Sequence, residues 1–151
     1  MTTTVQFLTS FLILLVSGVF WGPWLSLHRS IKVFSATEFV RLVKVLAKNL
    51  GAPMRFLMPV CVFFIAVSVW IYPQKDSYGF YFSIASLVFM LLSLLITVVV
   101  EVPIVNEIIR YEPERVPAGW ESLRNRWLKF HVVRMITALL AFAAFDISLF
   151  I

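Results

Sequence analysis

Four apolar runs, each near the length needed to cross a bilayer, limit what this chain can fold into more than any other feature. They lie at about 5–27, 54–72, 80–109 and 128–151. A spanning helix needs roughly 20 such residues, and hydrocarbon offers no water to backbone groups, so a spanning segment must satisfy them internally as a helix or a closed barrel. Hydrophobic residues make up 61% of the chain and charged residues 14%, against about 25% charged in soluble domains. A soluble fold of this size could not hide that much apolar surface. The expected fold is therefore all-α: a polytopic membrane protein with four transmembrane helices in one bundle, a single domain over 1–151.

The first run has no Lys or Arg in its first residues, unlike a signal peptide, and is read as a retained helix. It carries Gly18 and Gly22 at the spacing that allows close helix approach. Between the first and second runs, Ser35-Ala36-Thr37-Glu38 forms a capping box. The segment at about 35–49 is amphipathic: Phe39, Val43, Leu46 and Leu50 make one stripe, and Thr37, Arg41, Lys44 and Lys48 the other. Gly51 and Pro53 supply a stop signal. The expectation is a separate interfacial helix on the cytoplasmic leaflet; the alternative is a lid over a lateral opening into the bundle.

Basic residues are unevenly placed. The first-to-second connection and its edges hold Arg29, Lys32, Arg41, Lys44, Lys48 and Arg55. The third-to-fourth holds Arg110, Arg115, Arg124, Arg126, Lys129 and Arg134, whereas the second-to-third holds only Lys75. By the positive-inside rule, both basic loops are cytoplasmic and both termini outside, in the plasma (inner) membrane. This pattern explains the net charge of +5 without nucleic acid. Cys61 is the lone cysteine, read as a small buried thiol. No zinc-type spacing, P-loop or Rossmann glycine pattern is present, and no metal site is expected.

The polar residues inside the runs carry the functional signal. Trp120, Arg124, Trp127, His131 and Arg134 are spaced to share one helix face. That face continues as Ala138, Ala141, Phe145 and Ser148, which suits close packing. Trp21, Trp24 and His28 form a similar series on the first helix. Ser93, Thr97 and Glu101 share a face of the third, followed by Asn106 and Glu107. Glu101 falls at the end of an apolar stretch, where an ionisable group normally points inward and has a partner; Arg134 is the natural one. Bland readings stand beside these. Tryptophans at span ends are commonly interfacial anchors, Arg124, Arg126 and Lys129 suit headgroup contact, and a Glu101–Arg134 pair could simply lock two helices. Asp146 has no discernible partner in the sequence.

Together these residues describe a polar pocket at the cytoplasmic end of the bundle, walled by indoles, suited to a flat aromatic molecule. The same His28 and His131 could instead hold a haem.

The stretch Glu101-Val102-Pro103-Ile104-Val105-Asn106, followed by Trp120, Arg124, Arg126, Trp127, His131 and Arg134, resembles the DUF1772 family, which includes the fungal anthrone oxygenases. The resemblance implies a four-helix membrane protein. It also implies oxidation of an anthrone to an anthraquinone by oxygen, without metal or flavin. On that likeness His131 is the base or a hydrogen-bond partner of the substrate, Asn106 holds a substrate oxygen and Arg134 stabilises an oxyanion; the pocket reading adds Glu101 as a catalytic group able to move a proton. Trp21, Trp24, His28, Trp120, Arg124 and Trp127 would bind the substrate. Three functions stay open: a cofactor-free oxygenase, a redox protein binding haem or quinone, and a non-enzymatic accessory subunit. The expected partners are the lipid bilayer, a small aromatic substrate and further copies of the chain.

Overall fold

The computed structural model describes residues 2–151, and among them there are helices and turns but no strand. The helices are α1 (Thr2–Leu27), α2 (Ala36–Trp70), α3 (Tyr78–Ile108) and α4 (Trp120–Phe150), with a 3₁₀ turn at Ile31–Val33. All four are long and apolar enough to cross a membrane, and the chain is an integral membrane protein on that ground. Helix α4 is central, packed along α3 and α1, while α2 closes the bundle against both.

Helix α2 departs from the sequence expectation. Gly51 and Pro53 do not stop it: the interfacial stretch and the second span are one helix of 35 residues. Proline lacks the N–H that would bond the carbonyl four residues back, yet membrane helices tolerate this where neighbouring groups compensate. The start of α2 is the expected capping box, with the Glu38 backbone N–H donating to Ser35 Oγ and the Ser35 backbone N–H donating to Glu38 Oε2 at 2.8 Å. Its apolar stripe does not lie on lipid. Phe39, Val40 and Val43 are buried in a cluster with Ile31, Ile104, Ile108, Trp127 and Leu128. The charged stripe faces away, and Arg41 meets Glu114 of the α3–α4 connection at 2.8 Å while Thr37 donates to the Pro113 carbonyl.

A second cluster fills the other end of the bundle, where the chain ends and the 71–77 turn lie. Ile13, Val16 and Phe20 of α1 meet Met58, Cys61 and Ile65 of α2, Met90 of α3, and Met135, Ala138, Ala141 and Phe145 of α4. Small residues allow close approach there, and hydroxyls tie the helices together. Ser17 donates to the Ala138 carbonyl, Ser86 to that of Ala141, and Thr9 pairs with Ser68. Asp146 accepts from Ser10 at 2.7 Å, a partner the sequence did not reveal. Gly18 and Gly22 are not part of this packing, since a Cβ on either would meet nothing within 4 Å. Gly79 is used: a Cβ there would collide with the Tyr72 hydroxyl and the Ile151 carbonyl.

Candidate active site

The site begins with a defect in α3. Pro103 cannot supply an N–H to the preceding turn, and the helix widens over Thr97–Glu101 into one π-helical turn. The Val102 N–H reaches back to the Thr97 carbonyl, five residues away. Such wide turns recur at functional positions because they re-aim side chains without ending the helix. Here Thr97 and Glu101 both face Arg134 of α4. The run Thr97-Val98-Val99-Val100-Glu101 before Pro103 was the only sequence signal for it.

Arg134 organises the centre. Its Nη2 lies 3.3 Å from Glu101 Oε2 and 3.0 Å from His131 Nδ1, so one nitrogen holds both groups. Its Nη1 donates to Thr97 Oγ1 at 3.4 Å, and the guanidinium stacks 4.3 Å from the centre of the Phe20 ring. Phe20 was not singled out by sequence; its cue was membership of the buried face of α1. The imidazole of His131 stacks on Trp127, with centroids 5.8 Å apart.

A guanidinium has only donors. His131 Nδ1 must therefore accept, which places the proton of the neutral ring on Nε2. That N–H and the second carboxylate oxygen, Glu101 Oε1, are buried with no partner at hydrogen-bonding geometry; the Phe20 backbone stands near His131 and the Trp127 side chain near Glu101. Buried polar atoms are rarely left unpaired. A free donor and a free acceptor thus stand on the same arginine.

Glu101, His131 and Arg134 line a cavity of about 530 Å³ between the two apolar clusters, within the ~300–1,000 Å³ usual for small-molecule pockets. Phe20 and Pro23 of α1 line it, with Leu46, Leu50 and Met54 of α2, Leu94 and Val105 of α3, and Trp127 of α4. Asn106 is at its exposed rim. The amphipathic half of α2 is thus part of the wall.

Of the residues singled out by sequence, the structure brings together Glu101, Asn106, Trp127, His131 and Arg134. Thr97 joins them in the lining, whereas Trp21, Trp24, His28, Trp120 and Arg124 are not among the residues that line the cavity. Trp120 packs on Phe39, with Arg124 stacked 4.8 Å over its ring. Trp21 and Trp24 lean on each other, and His28 lies against Trp24 at 6.4 Å. Helix spacing gave each series one face, but α1 lines the cavity with Val19, Phe20 and Pro23 instead. Among the described residues no group of three His, Cys, Asp or Glu side chains could hold a metal ion.

The family profile described as anthrone oxygenase matches residues 49–144. The chain belongs to the anthrone oxygenase family. The match spans the cavity walls on α2, α3 and α4 and takes in Glu101, Asn106, Trp127, His131 and Arg134; it leaves out Trp21, Trp24 and His28. No curated protein and no solved structure matches this anthrone oxygenase family member.

Proposed function

We propose that the protein is a cofactor-free oxygenase that oxidises a flat, anthrone-like aromatic compound in this cavity. The observation that carries the reading is the pair of unpartnered atoms on Arg134, the Glu101 Oε1 acceptor and the His131 Nε2–H donor, in side chains that line a mainly apolar cavity. This shifts the roles suggested by resemblance. While Arg134 donates to Nδ1, His131 Nε2 already carries its proton, so it donates to the substrate carbonyl and Glu101 takes the proton.

An anthrone methylene hydrogen is acidic because the carbanion delocalises into the ring carbonyl. Glu101 removes that proton, and His131 with Arg134 stabilises the charge that develops on oxygen. The carbanion adds molecular oxygen to give a ring hydroperoxide after protonation. Loss of the second proton from the same carbon breaks the O–O bond, leaving a ketone and releasing hydroxide, which is protonated to water. Anthrone and one O₂ become anthraquinone and one water, so no external reductant is needed. The uneven placement of Lys and Arg supports a plasma-membrane location with the basic loops cytoplasmic and both termini outside.

The test is oxygen-dependent formation of anthraquinone from anthrone in proteoliposomes, compared with protein-free liposomes. Turnover above background is expected. Glu101→Gln should lower kcat by about 10²–10⁴-fold, the usual worth of a positioned base. A Glu101→Gln protein that keeps wild-type turnover removes the carboxylate from the chemistry.

A further inference from the structure

The cavity is closed along the bundle axis and open on one side. Toward the basic loops, Phe39, Val40, Val43, Ile104, Ile108 and Leu128 are buried against one another and cap the bundle. Toward the other end, the Met58–Met90–Ala138 cluster fills the bundle. Every lining residue from α1 and α4 is buried or half-buried. Six lining residues are exposed, and they form two rows: Gly51, Arg55 and Pro59 on α2, and Val98, Val102 and Asn106 on α3. Each row steps by four residues, one helix turn at a time. The rows are the two edges of a slot between α2 and α3, about 12 Å long at ~1.5 Å rise per residue. Gly51 keeps one edge low, since a Cβ there would meet no other atom within 4 Å.

We propose that this slot is a lateral portal through which a lipid-dissolved aromatic molecule slides edge-on from the bilayer to Glu101 and His131. The proposal deepens the enzyme reading and rests on it for what passes through. The chemistry of the edges is graded. Pro59, Val98 and Val102 are apolar, while Arg55 and Asn106 stand toward the basic-loop end, where an arginine head reaches the headgroups. An amphiphilic ring system carrying a carbonyl or phenol at one end matches that gradient. Toward the aqueous face stands the apolar cap of Phe39, Val40 and Val43.

The route is tested without turnover, by labelling a cysteine placed in the cavity wall. Leu94→Cys in proteoliposomes is treated with a membrane-partitioning pyrene maleimide or with a sulfonated, water-soluble maleimide; the wild type, whose Cys61 is fully buried, is the control. The pyrene reagent is expected to react about tenfold faster or more than the sulfonated one. Filling the slot from either edge, with Gly51→Leu or Val98→Phe, should slow pyrene labelling by about tenfold or more. Equal rates with the two reagents, labelling that neither substitution slows, or no labelling at all would overturn the portal. Slot-dependent labelling in a protein that does not oxidise anthrone would keep the portal and remove the chemistry.

Discussion

Around Ser86 and Ala141 the helices hold their buried polar groups in closed pairs, whereas around Glu101 and His131 they leave some open. At the first end, Ser17, Ser86, Thr9 and Ser68 each bond across to a neighbouring helix. At the second, Glu101 Oε1, His131 Nε2 and Arg134 Nε are buried without partners beside a cavity. The same four helices make both ends. The difference is that α4 presents Ala138, Ala141 and Ala144 to one and Trp127, His131 and Arg134 to the other. Small side chains let helices close on each other; large polar ones hold them apart and leave reactive atoms without neighbours. Packing and chemistry are thus separated along the helix axes.

The comparison breaks most visibly at Arg134. Arg134→Leu leaves the Glu101 carboxylate buried without its cation, and the folded state should lose roughly 3–5 kcal/mol. Adding Glu101→Gln should recover part of that loss, because the uncompensated charge is gone. Thermal unfolding of both variants in detergent reads the coupling. If the single and double variants are equally unstable, the pair is not what holds α3 to α4 at this end.

Damage at the packed end should cost stability and spare the cavity. Gly79→Ala places a methyl group against Tyr72 and the Ile151 carbonyl, with an expected loss of about 1–3 kcal/mol. Unfolding measurements should show it, while labelling of a cavity-wall cysteine stays at the parent rate. A smaller effect belongs to the interhelical hydroxyls. Ser86→Ala removes one bond to α4, worth about 0.6 kcal/mol in membrane proteins, and a shift in the unfolding midpoint is the readout.

The smallest effect is at the outer surface of the cap. Arg41, by its hydrogen bond, holds the Glu114 carboxyl below its usual value. A depressed carboxyl adds stability above its unfolded value, and that contribution is lost as the pH falls through the folded one. Both side chains are exposed, so the gain is slight and screened by salt. The difference in unfolding midpoint between wild type and Glu114→Ala should be small at neutral pH and vanish in acid or at high salt. A difference that persists in acid would show that the carboxylate charge is irrelevant to the latch.

The sequence made the bundle legible because span length and charge placement are local properties. The start of α4 at Trp120, the capping box at Ser35 and the shared face of Trp127, His131 and Arg134 follow from residue order and helix pitch. What stayed hidden depends on neighbours. Gly51 and Pro53 read as a stop, yet helix continues because the amphipathic half finds Ile104, Ile108 and Leu128 to cover it. His28 and His131 look equivalent along the chain, yet only one meets the cavity. The protonated nitrogen of His131 is fixed by Arg134 three residues away, and that needs the rotamers of both.

Continuity of α2 ties the cap to the cavity wall in a way that bears on how such a sequence can drift. Val43 seals the top and Met58 the floor, with Leu50 and Met54 in the wall between them. One inserted residue anywhere in that interval would turn everything before it by about 100°, swinging Phe39 and Val43 out to water and Arg41 or Lys44 inward. Length variation is therefore excluded from that interval, and the register of α2 is as fixed as the identity of any residue it carries.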